Sequence, residues 1–73
     1  MEQRILEIVN IVLENRSKTK VSSLSPNDKL RDTLGFDSLD LAELTVRIED
    51  EFGVDVFEDG LVNTVGEIYS KLG

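Results

Sequence analysis

Apolar residues recur at spacings of three and four near the start, in the middle and at the end of the chain, with less regular stretches between. At about 100° per residue, Ile5, Leu6, Ile8, Val9, Val12 and Leu13 share one arc. Arg4, Glu7, Asn10 and Glu14 lie opposite, and Ile11 is the apolar exception on that side. This predicts a first amphipathic helix. Arg16, Lys18 and Lys20 follow it, where positive charge suits exposed carbonyls and the macrodipole, and they are expected to form a solvated end.

Residues 17–37 are rich in Ser, Asp and Asn, yet Val21, Leu24, Leu30 and Leu34 recur among them like anchors into a core. The expectation is a long, ordered connection with a short helical turn around Pro26 to Leu30, because structureless loops of that length are uncommon. A second helix should begin at Asp37 or Ser38, either of which can cap it, and end near Gly53, which suits the left-handed position after a helix. Leu41, Leu44, Ile48 and Phe52, with Thr45 beside them, form its core stripe. Val54, Val56 and Phe57 lead into a segment expected to make one helical turn before Gly60, and Asn63 or Thr64 can cap a last helix holding Val65, Ile68, Tyr69 and Leu72. The fold class predicted is all-α: a small four-helix bundle, three main helices and one short one, with a long loop between the first two. Residues 1–73 read as a single domain.

Charge narrows the function. The net charge is −7, and residues 1–20 hold four basic and three acidic side chains against four and twelve in residues 21–73. Asp37, Asp40, Glu43, Glu49, Asp50, Glu51, Asp55, Glu58 and Asp59 are offset locally only by Arg47. Such a field repels phosphate backbones and attracts basic protein patches, which argues against nucleic acid as a partner. The chain has no cysteine and no histidine, so it lacks a disulfide, a thiolate, the commonest general base and the usual zinc ligands. No catalytic or metal-ligating residue is assigned. Apolar runs fall short of the roughly 20 residues that span a bilayer, and the N-terminus lacks the core of a secretory signal, so a cytoplasmic protein without membrane insertion is expected.

Candidate chemistry centres on Ser38. The run Leu34-Gly-Phe-Asp-Ser-Leu-Asp-Leu-Ala-Glu-Leu44, followed by Ile48-Glu-Asp-Glu-Phe-Gly-Val54, resembles the signature of acyl carrier proteins, members of the phosphopantetheine-binding carrier family. The dipeptide Asp37-Ser38 alone reads as an ordinary N-cap, with Asp40 a weak capping-box partner. The extended run tips the reading to the family. The resemblance implies that Ser38 carries a covalent 4′-phosphopantetheine arm donated by coenzyme A, with Asp37 and Leu39 completing the motif read by a phosphopantetheinyl transferase.

It further implies a carrier of the discrete, bacterial type, a monomer that presents acyl thioesters to loading and processing enzymes of fatty-acid, polyketide or related lipid biosynthesis. The partner-facing residues would be Asp40, Ala42, Glu43, Val46, Glu49 and Asp50, beside the exposed Leu39. Arg47 lies between Glu43 and Asp50 on the helical wheel and can pair with either. Thr45, Ile48, Phe52, Val56, Leu61 and Ile68 are implied to line a space for the acyl chain, although such residues also read simply as core. Two rivals remain: a discrete peptidyl or aminoacyl carrier, and an unmodified acidic helical adaptor in which Ser38 only caps a helix. A calcium loop at Asp55–Gly60 fails for want of ligands at Phe57 and Gly66. A carboxylate-pair hydrolase fails because solvated acids lack the apolar pocket that raises an acid's pKa.

Overall fold

In the computed structural model, which describes residues 1–73, the chain forms three helices: α1 (Glu2–Asn15), α2 (Ser38–Phe52) and α3 (Val65–Leu72). α1 buries Ile5, Ile8, Val9, Val12 and Leu13 of the arc expected from their spacing, while Leu6, expected with them, is only half-buried. Its end is a left-handed turn at Ser17, φ 57°, with Ser17 N–H donating to Glu14 O at 3.0 Å and Lys18 N–H to Leu13 O at 2.8 Å. This Schellman arrangement satisfies the last carbonyls of α1 and turns the chain back sharply.

α1 and α2 pack directly against each other. Their direction is antiparallel, because Arg4 at the start of α1 pairs with Glu51 at the end of α2, whereas Asn15 donates to Glu43 at 3.0 Å near the other end. Leu41, Leu44 and Ile48 of α2 and Val65 and Ile68 of α3 belong to one core with the α1 arc, completed by Leu30, Leu34, Phe36, Val56 and Val62. Phe36, absent from the expected anchors, is one of the buried members.

The long connection is held by particular bonds. Asn10 clamps Val21 from both sides, its amide donating to Val21 O at 2.9 Å while its oxygen accepts Val21 N–H at 2.8 Å. The helical turn expected around Pro26 to Leu30 lies a few residues later, where Thr33 N–H reaches Lys29 O and Gly35 N–H reaches Arg31 O, both at 3.0 Å. Asp28 displaces it: its carboxylate accepts the Ser25 N–H at 2.8 Å and ties the Pro26 region into a separate turn. The loop then zips onto the start of α3 through Leu30 N–H to Asn63 O at 2.9 Å and Val65 N–H to Asp28 O at 3.0 Å. Gly66 N–H donates to Pro26 O at 2.9 Å, and a Cβ on Gly66 would sit 2.9 Å from that oxygen, so the approach requires glycine.

The expected fourth short helix is absent. Between Gly53 and Val65 the chain makes turns closed by Glu58 N–H to Asp55 O at 3.2 Å and Gly60 N–H to Phe57 O at 3.1 Å. The Asp55 side chain takes the Phe57 N–H at 3.0 Å, offering the backbone an alternative to a helical turn. Gly60, at φ 128°, then leaves helical space altogether. The architecture is therefore a three-helix arrangement with two structured connections.

Candidate functional site

The sequence allowed Asp37 or Ser38 to cap α2, and the cap is Asp37. Its backbone is extended, with φ −101° and ψ −174°, and its Oδ1 accepts Asp40 N–H at 2.9 Å. Asp40 Oδ2 accepts the Asp37 N–H at 3.0 Å in return, completing a reciprocal capping box. Ser38 is thereby freed from capping. It occupies the first helical position, exposed, and its hydroxyl accepts a hydrogen bond from Arg31 Nη2 at 3.3 Å. Sequence reasoning gave Arg31 no role; its closeness to Ser38 comes from the turn at Lys29–Gly35.

Asp40 was expected on the partner face and is instead fully buried. Its carboxylate meets Lys18 Nζ, and Arg16 Nε stands 3.5 Å from its Oδ1. Lys18 also donates to Gly35 O at 2.7 Å, and Arg16 Nη2 reaches Asp37 Oδ2 at 3.2 Å. Arg16 and Lys18 are thus the far half of the α2 cap rather than a solvated end; only Lys20 keeps a surface role, 3.6 Å from Glu14. Burial pushes the Asp40 carboxyl upward, but Lys18, the Asp37 N–H and Arg16 together outweigh it and hold it below its ordinary range.

Of the residues expected on the outer face of α2, Leu39, Ala42, Val46, Glu49 and Asp50 are exposed. Leu39 is 67% exposed and Val46 63%, and Ala42 between them is exposed too. Glu49 and Asp50 flank this ridge, exposed and without ion-pair partners. Glu43 is half-buried at its edge; hydrogen bonds from Asn15 and from Arg47 Nε, the latter at 2.9 Å, keep its carboxyl below the usual range. Arg47 therefore pairs with Glu43, not Asp50.

The residues nominated to line an acyl space do not converge on a cavity. Ile48, Val56 and Ile68 are fully buried core, Phe52 packs at the core's margin, and Leu61 is 78% exposed and points away from it. Thr45 lies beside them with a buried hydroxyl that has no hydrogen-bond partner. A cavity of about 300 Å³ opens elsewhere, lined by Lys29, Leu30, Arg31, Asp32, Val62 and Asn63.

The site suits attachment better than catalysis. A serine hydroxyl becomes a nucleophile when a base removes its proton. The chain has no histidine, Asp40 is buried in its ion pairs, and Asp37 is committed to Asp40 N–H and Arg16. An activating base must come from another protein. The donors around Ser38 do fit a phosphodiester, because Arg31 faces the hydroxyl and Arg16 offsets the charge of Asp37. No helix is long and apolar enough to cross a membrane.

Compared with known proteins, residues 3–72 match the family model described as the phosphopantetheine attachment site. No solved structure matches the chain significantly. With the match covering nearly its whole length, the chain belongs to the phosphopantetheine-attachment-site family, non-catalytic carriers whose prosthetic group is 4′-phosphopantetheine.

Proposed function

We propose that residues 1–73 are a single acyl carrier domain, with the 4′-phosphopantetheine arm on Ser38 Oγ and with Asp37 and Leu39 as the flanking motif read by the transferase. The observation that carries this reading is the released hydroxyl: Asp37 supplies the cap, so Ser38 stands exposed with an arginine beside it. Loading joins Ser38 Oγ to the phosphorus of the phosphopantetheine half of coenzyme A as the pyrophosphate bond breaks. The adenosine half leaves as its 3′,5′-bisphosphate, and the transferase takes the serine proton.

Acyl cargo is favoured over peptidyl or aminoacyl cargo by Phe36-Asp37 ahead of the serine and by the acidity of the second helix. Intact mass of the arm-free protein, before and after incubation with coenzyme A and a broad-specificity transferase, tests the carrier role. Fragmentation must then place the added group on Ser38. Charging of the loaded protein by an acyltransferase with malonyl-coenzyme A, but not by an amino-acid-adenylating enzyme, supports acyl cargo; the reverse pattern refutes it.

The partner face in this reading is the ridge Leu39, Ala42 and Val46, with Glu43, Glu49 and Asp50 around it. Exposed apolar side chains rimmed by carboxylates suit partners with basic patches, and rim charges act mainly on association rate and salt dependence. The double variant Glu49→Lys with Asp50→Lys should weaken binding to the transferase about tenfold at low salt, with the difference shrinking as salt screens the charges. Both residues are exposed, so folding should be unaffected. Titration by calorimetry at two ionic strengths checks this, and equal affinities at low salt would remove these acids from the partner face.

A further inference from the structure

Eight lysine and arginine side chains serve fifteen carboxylates in this chain. Arg4, Arg16, Lys18, Lys20, Arg47 and Lys71 each hold a carboxylate within ion-pair distance. Lys29 and Arg31 hold none, and both line the 300 Å³ cavity with Leu30, Asp32, Val62 and Asn63. In so acidic a protein, two cations without a carboxylate partner share one groove, which gives it a local positive charge. Arg31 has the Ser38 hydroxyl as its hydrogen-bond partner, at 3.3 Å. The groove and the serine are thus joined through one guanidinium.

We infer that this groove is the resting seat of the arm: Arg31, seconded by Lys29, holds the phosphodiester on Ser38, and the pantetheine chain lies along Val62 and Asn63. The inference rests on the assignment of the arm to Ser38. Once Ser38 Oγ becomes an ester oxygen, the charged oxygens lie two bonds away through phosphorus, within reach of a guanidinium that already hydrogen-bonds Oγ. Arginine's planar fork matches two phosphate oxygens at once, which a lysine cannot do. Asp32 opposes the phosphate charge, but Lys29, Arg31 and Asp32 together still carry one net positive charge. Beyond the phosphate, the arm offers two methyl groups and two amides. Val62, 3% exposed, is the apolar contact available to the methyls, with Leu30 fully buried beneath it, and the exposed Asn63 side chain can hydrogen-bond an amide. The groove is firm here, because Leu30 N–H is bonded to Asn63 O at 2.9 Å.

The test is NMR of the full chain, loaded to completion with an isotope-labelled arm and verified by intact mass. The expected result has three parts: nuclear Overhauser contacts from the arm's geminal methyls to the Val62 methyls, a shift of the Arg31 Nε–H signal on loading, and loss of both in Arg31→Gln loaded to the same extent. Arg31 is exposed, so this variant should fold, and its amide spectrum verifies that. A loaded wild-type protein whose arm shows no contact with Val62 overturns the inference alone, as do contacts undiminished in Arg31→Gln. Protein that accepts no arm at Ser38 overturns the carrier assignment itself, and the seat with it.

Discussion

Replacing Asp40 by alanine should destabilise the protein by about 2–3 kcal/mol, the largest loss expected from any single polar side chain. Breaking a buried ion pair commonly costs 3–5 kcal/mol, because the surviving charge is stranded. Here the survivors are Lys18 and Arg16, each about one-third exposed, and they can turn to water, which lowers the figure. To that is added the loss of half the capping box, since Asp37 N–H loses its acceptor. In a domain of this size each kcal/mol moves the midpoint by roughly 4–8 °C, so a fall of about 10–20 °C is expected in thermal unfolding. A fall of less than about 3 °C would mean that the Lys18–Asp40–Arg16 cluster merely breaks even with solvation.

The same carboxylate gives the protein an acid limit. Its folded-state pKa lies below the ordinary value of 3.8, so the folded state binds its proton less readily than the unfolded chain does. Its contribution is then complete above that ordinary value and is lost as pH falls through the lower folded value. Glu43 and Glu51, also held low by Asn15 with Arg47 and by Arg4, act in the same direction at the surface. Wild-type stability should therefore decline steeply below about pH 4. The Asp40→Ala variant should show a shallower decline from a lower start, and urea titrations at pH 3, 4 and 6 would separate the two slopes.

The helices themselves were legible, because their periodicity and stops are local. The apolar arc of α1, the stripe Leu41–Leu44–Ile48 and the positive φ of Gly53 all stand where spacing and residue type put them. So do the capping of α3 by Thr64 and the exposed ridge on α2. What was not legible depends on contacts distant in sequence. Asp40 has the same spacing and charge as a surface acid, and only the turn at Ser17, which returns Lys18 to the start of α2, makes it a buried one. Arg31 sits in a polar loop with no periodicity, and its approach to Ser38 is set by the bonds between that loop and the start of α3. The absent short helix differs in being local: Asp55 competes for the Phe57 N–H and Gly60 leaves helical space, against an apolar spacing that suggested a turn.

Ser38→Ala should abolish loading with phosphopantetheine and leave the fold untouched, and the pairing of those two outcomes is what gives the variant its force. Were Ser38 only a helix cap, alanine would cost about 0.5–2 kcal/mol, as lost Ser, Thr or Asp caps do. Asp37 holds that role instead, so removing an exposed hydroxyl bonded only to Arg31 should change stability by less than about 0.5 kcal/mol. Loading, in contrast, depends on this hydroxyl: the neighbouring Asp37 carboxylate is bound up in the cap, and Ser22 and Ser23 lie beside Glu2 and Leu6, at the opposite end of α1 from the start of α2. Intact mass after exhaustive treatment with coenzyme A and transferase should therefore show no arm on the variant, while its melting curve overlays the wild type. A lowered melting point with loading unchanged would make Ser38 a structural cap. A full complement of arms on a stable alanine variant would put the attachment on another hydroxyl, and with it the partner face built around α2.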